Sequence, residues 1–339
     1  MESRKNVLVT GGTGFIGSKL CSKIVKDGAV GDFQVGTLTI TDIVSPASDK
    51  LHYEYNDKHL SIRHVDLDLA ETDGIASLIA ETKPDIIFHL GSVVSGEAEL
   101  NFEKGYRCNV DGMRNLLEAI RALGTSYVPK FIFSSSITCF GPPLPDIISD
   151  DFHRTPATSY GTQKAICELL VDDYSRKGYI EGVTIRFPTI CVRPGKPNKA
   201  ASGFFSNIIR EPLSGAPAVC PVSRDIRHTV ASPRKSIEYL VRAAGLSADQ
   251  LEGSRAITMP SIPVTVGEMM DALERVAGKD VVSLIEMKPD SFIQKIATGW
   301  QYMFDTQKAK SLGFTPDESF EEIIRAHIAD ELDGKIGCP

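Results

Sequence analysis

Short apolar segments alternate with longer amphipathic ones along the first 186 residues of the chain. The short segments are rich in β-branched residues and predict strands at residues 6–10, 37–41, 61–65, 86–90, 131–134 and 183–186. Between most of them, apolar residues with a 3.6-residue period predict helices at residues 16–26, 75–81, 112–123 and 160–177. Because neighbouring parallel strands need a crossover helix between them, this order predicts a doubly wound α/β fold with a parallel sheet.

The pattern changes after residue 186. Seven prolines between residues 188 and 233 exclude one long helix there, because proline lacks the N–H that a helix interior needs. Further helices are predicted at residues 236–244, 266–277 and 319–332, with Asp317 or Ser319 as the cap of the last. We therefore predict a first domain at residues 1–185 and a smaller part at residues 186–339. Segments around residues 226–260 are expected to return to the first domain.

Composition excludes several classes of protein. With 24% charged and 7% aromatic residues among 339, the chain has globular values and is not mainly disordered. Its 37 basic and 44 acidic residues give a formal charge of −7, which disfavours nucleic acid as a general partner. No apolar run reaches the roughly 18 residues of a membrane span. Seven cysteines without a Cys-x-x-Cys pair, and a start that leads directly into a strand, predict reduced thiols, no metal site and a cytoplasmic location.

The first strand runs into a glycine-rich turn at the start of the first helix. Glycines 11, 14 and 17 have the spacing G-x-x-G-x-x-G, which permits positive φ angles and close approach of the backbone to a phosphate. The helix amides and dipole then favour an anion. The turn predicts binding of a dinucleotide diphosphate, with a purely structural turn as the alternative. The predicted contacts are Gly11, Thr13, Gly14, Phe15, Ile16 and Gly17.

Acidic residues end the second and third strands. Asp42 can accept hydrogen bonds from ribose hydroxyls and would repel a 2′-phosphate, and no arginine follows it directly, so the sequence favours NAD over NADP as cofactor. Asp42 lies 25 residues after Gly17, and we expect residues 28–36 to be an inserted loop. Asp66 is placed to meet the adenine, unless it belongs to a plain surface turn.

A tyrosine and a lysine four residues apart lie on one face of a predicted helix. These are Tyr160 and Lys164. A tyrosine has a pKa near 10, and a nearby ammonium favours its phenolate, so Tyr160 is a candidate base. The preceding strand ends in three serines, and a hydroxyl there can hold a substrate oxygen.

These motifs, with His89-Leu-Gly-Ser92 and residues 109–119, resemble the extended short-chain dehydrogenase/reductases, also called the NAD-dependent epimerase/dehydratase family. The resemblance implies a Rossmann domain at residues 1–185 and hydride transfer to NAD. Tyr160 would remove the hydroxyl proton, Lys164 would bind the nicotinamide ribose and acidify Tyr160, and Ser136 would orient the substrate. Gly91 and Phe140 depart from the family, which usually has Ala and Tyr there.

The resemblance implies further contacts with the cofactor. It places Asn109 in support of the site through backbone and water contacts, although a simple helix cap is an equal alternative. The remaining implied cofactor contacts are Leu67, Leu90, Gly91, Ser92, Pro188, Thr189 and Ile190.

Two loops suggest the class of substrate. Ser95 follows the fourth predicted strand, and three cations follow residue 192, which suits an anionic substrate unless they form a solvated basic loop. The candidate substrate contacts are Ser95, Ser136, Thr138, Tyr160, Arg193, Lys196 and Lys199.

Within the family, the chain most resembles the D-erythronate dehydrogenase group, which oxidises the C2 hydroxyl of a four-carbon sugar acid to the 2-oxo acid. A nucleotide-sugar epimerase or dehydratase is the alternative, although the phosphate-binding motif of those enzymes is not kept at Arg227 and only Arg224-Asp225 offers another register. A non-catalytic NAD(H)-sensing protein is a third hypothesis. The resemblance also implies a homodimer through the helix of Tyr160 and the preceding one, and we expect Ala165, Leu169 and Val171 to be exposed there.

Overall fold

The computed structural model describes residues 4–43, 59–195, 202–251 and 253–337. Its first half alternates strands and helices in the order that the hydrophobic pattern predicts. The elements are β1 (Lys5–Thr10), α1 (Phe15–Asp27), β2 (Ala29–Val30), β3 (Phe33–Asp42), β4 (Ser61–Asp66), α2 (Thr72–Thr82), β5 (Ile86–His89), α3 (Ser95–Leu100), α4 (Phe102–Tyr106), a π-helical turn (Arg107–Asp111), α5 (Gly112–Ala122), β6 (Lys130–Ser136), a 3₁₀ turn (Ile137–Cys139), α6 (Ser159–Arg176) and β7 (Glu181–Phe187).

The second half adds short strands and helices. They are β8 (Thr189–Ile190), α7 (Gly203–Leu213), β9 (Ala218–Cys220), β10 (Arg227–Ala231), α8 (Pro233–Ala244), a 3₁₀ turn (Asp249–Leu251), β11 (Ala256–Thr258), β12 (Ile262–Thr265), α9 (Val266–Ala277), α10 (Lys279–Val282), β13 (Ile285–Met287), α11 (Ser291–Thr298), α12 (Gln307–Ser311) and α13 (Phe320–Glu331). Among these, β8, β10 and β12 form one small sheet, and β9 and β13 form another.

The main sheet has seven parallel strands in the order β4-β3-β1-β5-β6-β7-β11, and β2 adds an antiparallel edge to the start of β3. This order confirms the doubly wound α/β fold. The chain leaves β1 in one direction toward β3 and later in the other toward β5, so Thr10 and His89 lie opposite each other where the order reverses. In open α/β sheets, a crevice forms at the carboxyl ends of the strands at this point, and ligands bind there.

Alternate residues of the strands fill two cores. Val7 and Val9 pack with α1 and α8 on one face of the sheet, whereas Leu8 packs with α2 and α5 on the other. Both faces are covered, which explains why the strands are almost continuously apolar. A third core lies among the small sheets and α7, α9 and α13, around Phe205 and Met269.

Two local expectations differ from the structure. Residues 28–36 are not a plain loop, because β2 and the start of β3 form a tight hairpin. Gly28 ends α1 with a φ of 65°, and Gly31 forms the hairpin turn with a φ of 56°, and glycine adopts both angles without strain. At the last helix the choice is settled: the hydroxyl of Ser319 caps α13, and Asp317 instead accepts the N–H of Ser232.

The expected apolar face of α6 is also different. Ala165 and Val171 are buried, because α6 packs against β6 and β7 and against α3 and α4. Only Leu169 of the three is exposed. No described helix combines the length and the apolar character that crossing a membrane requires.

Candidate active site

The glycine-rich turn brings three backbone segments into contact. Gly11 has a φ of 68°, and a Cβ on it would lie 2.5 Å from the backbone N of Gly91. A Cβ on Gly17 would collide with the carbonyl oxygen of Gly11. The N–H of Leu90 donates to the carbonyl of Thr10 at 3.1 Å, which holds the end of β5 beside the turn. Only glycine therefore fits at positions 11 and 17.

The first helix begins on this turn and presents its amides. Its N-cap is Gly14, which has no side chain to cap the helix, and the first turn carries no acidic residue. Phe15 and Ile16 occupy the first helical positions. The N–H groups and the dipole of a 13-residue helix thus face the crevice with no acidic residue in the first turn of the helix, which fits the diphosphate of a dinucleotide.

Asp42 is held at the side of the turn. Its Oδ2 accepts the hydroxyl of Thr13 at 2.7 Å and the N–H of Thr13 at 3.2 Å, while Oδ1 accepts the N–H of Ile43 at 2.8 Å. Asp66 pairs opposite Asp42 between β3 and β4 and is exposed, and Leu67 donates its N–H to the carbonyl of Asp42. The two acids therefore lie side by side at the edge where a ribose and an adenine are expected.

Tyr160 and Lys164 lie one turn apart at the start of α6. The hydroxyl of Thr158 caps this helix and places its first turn. Lys164 is buried, its Nζ donates to the carbonyl of Ser134 at 2.7 Å, and Nζ lies 5.5 Å from the ring centroid of Tyr160. The ammonium also lies 4.9 Å from the centroid of Phe133. The pair is thus fixed against the end of β6, where the serines are.

Burial dominates the proton equilibria here. It lowers the pKa of Lys164 to about 8 and raises the pKa of Tyr160 above its ordinary value, while a hydrogen bond with Ser92 partly opposes the latter. Burial, with the Lys164 charge as a smaller cause, lowers the pKa of His89 to about 3, so this imidazole is neutral. The lowered pKa of Tyr160 that the sequence predicts is therefore not produced by Lys164 alone.

The three serines at the end of β6 have different partners. The Ser134 hydroxyl donates to the last carbonyl of β5 at 3.1 Å, and that of Ser135 donates to Glu168 at 2.6 Å on the opposite face. Among the described residues, Ser136 accepts one backbone N–H, from Thr138 at 3.2 Å, and it is half-buried. Ser136 therefore has a hydroxyl hydrogen available for a substrate.

Asn109 ties two walls of the site together. Its Oδ1 accepts the N–H of Val93 at 2.7 Å and the hydroxyl of Ser92 at 3.0 Å. Its Nδ2 donates to the carbonyl of Val93 at 3.1 Å and to Oε1 of Gln163 at 2.7 Å. Asn109 belongs to the π-helical turn and makes no cap, so its side chain serves the loop after β5.

Other predicted contacts are more scattered. Thr138 has a buried Oγ1 without a hydrogen-bond partner among the described residues, whereas Ser95 is half-buried at the start of α3. Pro188 links β7 to β8, and Thr189 and Ile190 form β8. The Thr189 hydroxyl is hydrogen-bonded to Nε2 of a buried histidine, His228, at 2.6 Å.

The basic segment is only partly described. Lys196 and Lys199 lie outside the described residues. Arg193 is half-buried, and its Cζ lies 6.0 Å from the ring centroid of Phe15, at the start of α1. The structure therefore brings Arg193 to the glycine-rich turn.

Sequence reasoning missed a buried charge network behind the serines. Glu168 accepts two hydrogen bonds from Arg186, at 2.9 and 2.7 Å, and one from Arg154 at 2.6 Å. Burial alone would raise the pKa of Glu168, but its bonds to Arg186, Ser135 and Arg154 outweigh it and the pKa is lowered. The one sequence signal was the position of Glu168, a single turn after Lys164 on α6.

A cavity of about 650 Å³ opens between the loop after β6 and the small sheet. Pro142, Ile148, Arg227 and Tyr302 are among its lining residues. The guanidinium of Arg227 lies 5.3 Å from the ring centroid of Tyr302. No cluster of three or more potential metal ligands occurs in the described parts of the chain.

The chain is similar in sequence and in fold to known proteins. Residues 7–228 match the NAD dependent epimerase/dehydratase family. The chain is 40% identical to a D-erythronate dehydrogenase of Cupriavidus necator over 96% of this chain and 98% of that one. It is 39% identical to one of Haemophilus influenzae over 96% and 99%. A crystal structure of a nucleoside-diphosphate-sugar epimerase from Agrobacterium tumefaciens superposes with a TM-score of 0.91 at 47% identity, covering 98% and 96%.

Proposed function

The chain belongs to the NAD-dependent epimerase/dehydratase family and is an NAD-dependent dehydrogenase, and we propose that it oxidises the C2 hydroxyl of a small sugar acid, such as D-erythronate, to the 2-oxo acid. The observation that carries the proposal is the arrangement of Tyr160, Lys164 and Ser136 at the carboxyl edge of the sheet. The similarity to two D-erythronate dehydrogenases over almost the whole chain supports this substrate class.

The contacts at the site support a catalytic role for each of these residues. NAD, when bound, supplies the acceptor for the hydride from C2. Tyr160 takes the proton of the C2 hydroxyl, and Ser136 orients that oxygen with its hydroxyl hydrogen, which no group in the described part of the chain accepts. Thr138 offers a second hydroxyl, buried and without a partner in the described structure, to the same small substrate.

Lys164 has two tasks in this proposal. The carbonyl of Ser134 fixes its ammonium, which then reaches the ribose next to the nicotinamide. Its charge stabilises the phenolate of Tyr160, against the burial that raises the pKa of this phenol. The positive charge of an oxidised nicotinamide beside Tyr160 would favour the phenolate further.

The acid at the end of β3 supports NAD as the preferred cofactor. Asp42 is held toward the turn by Thr13, and its carboxylate would lie against a 2′-phosphate. Replacing Asp42 with Ala is expected to raise kcat/KM with NADP relative to NAD, and an unchanged ratio contradicts this assignment.

A nucleotide-sugar epimerase on the same scaffold is the second candidate. The similarity to the nucleoside-diphosphate-sugar epimerase of Agrobacterium tumefaciens favours it. Arg224 is held by Asp271 and by the carbonyl of Gly267 on α9, so a sugar diphosphate would have to use Arg227 at the cavity.

The two candidates differ in net redox change. NADH formation is measured with a panel of four-carbon sugar acids, and product formation is measured separately with UDP-sugars. If the protein is the proposed dehydrogenase, NADH is formed with a sugar acid. Tyr160→Phe should abolish this NADH formation and keep the affinity for NADH. Turnover of UDP-sugars without net NADH, and none of sugar acids, would overturn the proposal.

We also propose a homodimer through α5 and α6. Leu169 of α6 is 56% exposed, and Leu100 and Phe102 are exposed on segments next to α6. Light scattering of the wild type and of Leu169→Glu tests it, because a charge at a contact of this kind shifts the protein toward monomer. A wild type that is monomeric at all concentrations contradicts the proposal.

A further inference from the structure

Arg193 reaches the start of α1 from the other half of the chain. Its Cζ lies 6.0 Å from the ring centroid of Phe15, the first residue of that helix. From this position we infer that Arg193 binds the diphosphate of the dinucleotide, and not the carboxylate of the substrate. The inference rests on the proposed use of NAD.

The backbone of Arg193 is fixed from both sides. Its N–H donates to the hydroxyl of Ser206 at 3.0 Å, and its carbonyl accepts from Nη1 of Arg210 at 2.8 Å. Both partners belong to α7 and are buried. Because α7 holds the main chain here, the direction in which the Arg193 side chain leaves it is restricted.

One nitrogen of the Arg193 guanidinium lacks a hydrogen-bond partner among the described residues. Its Nε is buried and makes no hydrogen bond within the described part of the structure. Burial, and then repulsion by Arg210, lower the pKa of Arg193. Glu211 and Asn207 already accept hydrogen bonds from Arg210.

The neighbouring helix end favours an anion beside Arg193. The N-terminus of α1 carries a partial positive charge, with Gly14 as an uncapped N-cap, and this charge also repels the guanidinium. An anion between the two would be attracted by both. A diphosphate has two negative charges, and a planar guanidinium can bind such oxygens with two parallel hydrogen bonds.

The position separates the diphosphate from the substrate carboxylate. In doubly wound folds that bind dinucleotides, the diphosphate lies on the N-terminus of the first helix. The reacting carbon has to lie at Tyr160, on α6, beyond the ends of β5 and β6. Arg193 lies beside Phe15, at the N-terminus of α1, where the diphosphate is expected. Its position therefore suits a contact with the diphosphate.

Binding without turnover tests the inference. NADH binding is followed by its fluorescence, and ADP-ribose and adenosine are used as competitors. Loss of a hydrogen bond to a charged group costs about 1.5–3 kcal/mol, so Arg193→Gln should bind NADH and ADP-ribose roughly 10- to 150-fold more weakly. Adenosine, which has no phosphate, should bind unchanged. The matched control is Arg275→Gln, which removes a surface ion pair between Arg275 of α9 and Glu321 of α13. It should behave as the wild type.

Different failures have different meanings. Arg193→Gln with unchanged affinities for NADH and ADP-ribose, but a raised KM for the sugar acid, overturns this inference and leaves the proposed function intact. A wild type that does not bind NADH overturns both. If Arg193→Gln does not fold, Arg193→Lys replaces it. It keeps the charge without the planar fork, so weaker ADP-ribose binding supports the inference and unchanged binding overturns it.

Discussion

The side-chain amide of Asn109 donates a hydrogen bond to Oε1 of Gln163 at 2.7 Å and joins the turn before α5 to the helix of Tyr160. Both side chains are buried. On its other side Asn109 binds both the N–H and the carbonyl of Val93. A single amide thus sets the distance between the loop after β5 and the helix that carries the proposed base.

Replacing Asn109 with Ala is expected to lower both stability and turnover. The substitution leaves the Val93 N–H and the Gln163 amide oxygen buried without partners, at about 1–3 kcal/mol for each group. Because α6 then loses its connection to the loop, kcat should fall more than KM changes. Urea unfolding and steady-state kinetics measure the two effects.

Asn109→Asp separates the contact with Val93 from the contact with Gln163. It keeps the acceptor for Val93 and loses the donor to Gln163, so an intermediate kcat is expected. Asn101→Ala removes the cap of α4 and serves as the control for stability alone. Equal kcat in Asn101→Ala and Asn109→Ala would contradict the positioning role.

Periodicity predicted the order and the type of the main elements well. Strands covered on both faces are continuously apolar, and the helices between them are amphipathic, so both signals were strong. The hairpin of β2 was missed because two residues are too short for a pattern and Gly31 interrupts it. Burial of Ala165 and Val171 was missed because the pattern of α6 alone does not show which of its apolar residues meet the rest of the protein. Val171 lies in the core with Phe131 and Ile180.

Parts of the site far apart in sequence could not be predicted. Glycine spacing and Tyr-x-x-x-Lys are local, and the structure has the former before α1 and the latter on α6, as the sequence predicted. The network of Glu168, Arg186 and Arg154 joins a helix, a strand and a loop, and nothing in their spacing indicates a contact. The position of Arg193 beside Phe15 likewise depends on how the two halves pack.

Two glycines at the turn should respond differently to alanine. Gly11→Ala combines a positive φ with a Cβ 2.5 Å from the backbone N of Gly91, and the strain alone costs about 1–3 kcal/mol. We expect NADH binding to be lost. Gly91→Ala would place its Cβ 3.4 Å from Gly11 and 3.5 Å from Leu69, which is ordinary contact, and binding should be kept. Fluorescence titration compares them, and equal losses would show that the turn is not packed as described.

Neighbouring serines separate catalysis from stability. Ser136→Ala removes a proposed hydrogen bond to the reacting oxygen, so kcat should fall by about 10²–10³-fold. The unfolding free energy should fall by only about 1 kcal/mol, for the lost hydrogen bond from the N–H of Thr138. Ser135→Ala instead removes a hydrogen bond to the buried Glu168 carboxylate, which costs about 1–3 kcal/mol of stability. Kinetics and urea unfolding of both variants test this division. A catalytic loss in Ser135→Ala larger than in Ser136→Ala would reverse the assignment.

Two buried histidines should make the protein sensitive to mild acid. Burial lowers the pKa of His89 to about 3 and that of His228 to about 4, from 6.5 in an unfolded chain. Between pH 4 and pH 6.5 the unfolded chain binds a proton on each of the two imidazoles, whereas the folded protein keeps both neutral. The stability that these two histidines contribute is therefore fully present above pH 6.5 and is lost as the pH falls toward 4. The two groups together contribute a slope of about 2.7 kcal/mol per pH unit near pH 5. Urea unfolding at a series of pH values measures it.

Comparison with a variant isolates the histidines from the carboxylates, which also titrate in acid. In His228→Gln the unfolded chain binds one proton fewer than in the wild type. The slope of the unfolding free energy against pH near pH 5 should therefore be smaller by about 1.4 kcal/mol per pH unit. His153→Gln, on the surface loop before α6, is the control and should keep the wild-type slope. If His228→Gln and His153→Gln give the same slope, His228 is protonated in the folded protein and the sensitivity to acid has another source.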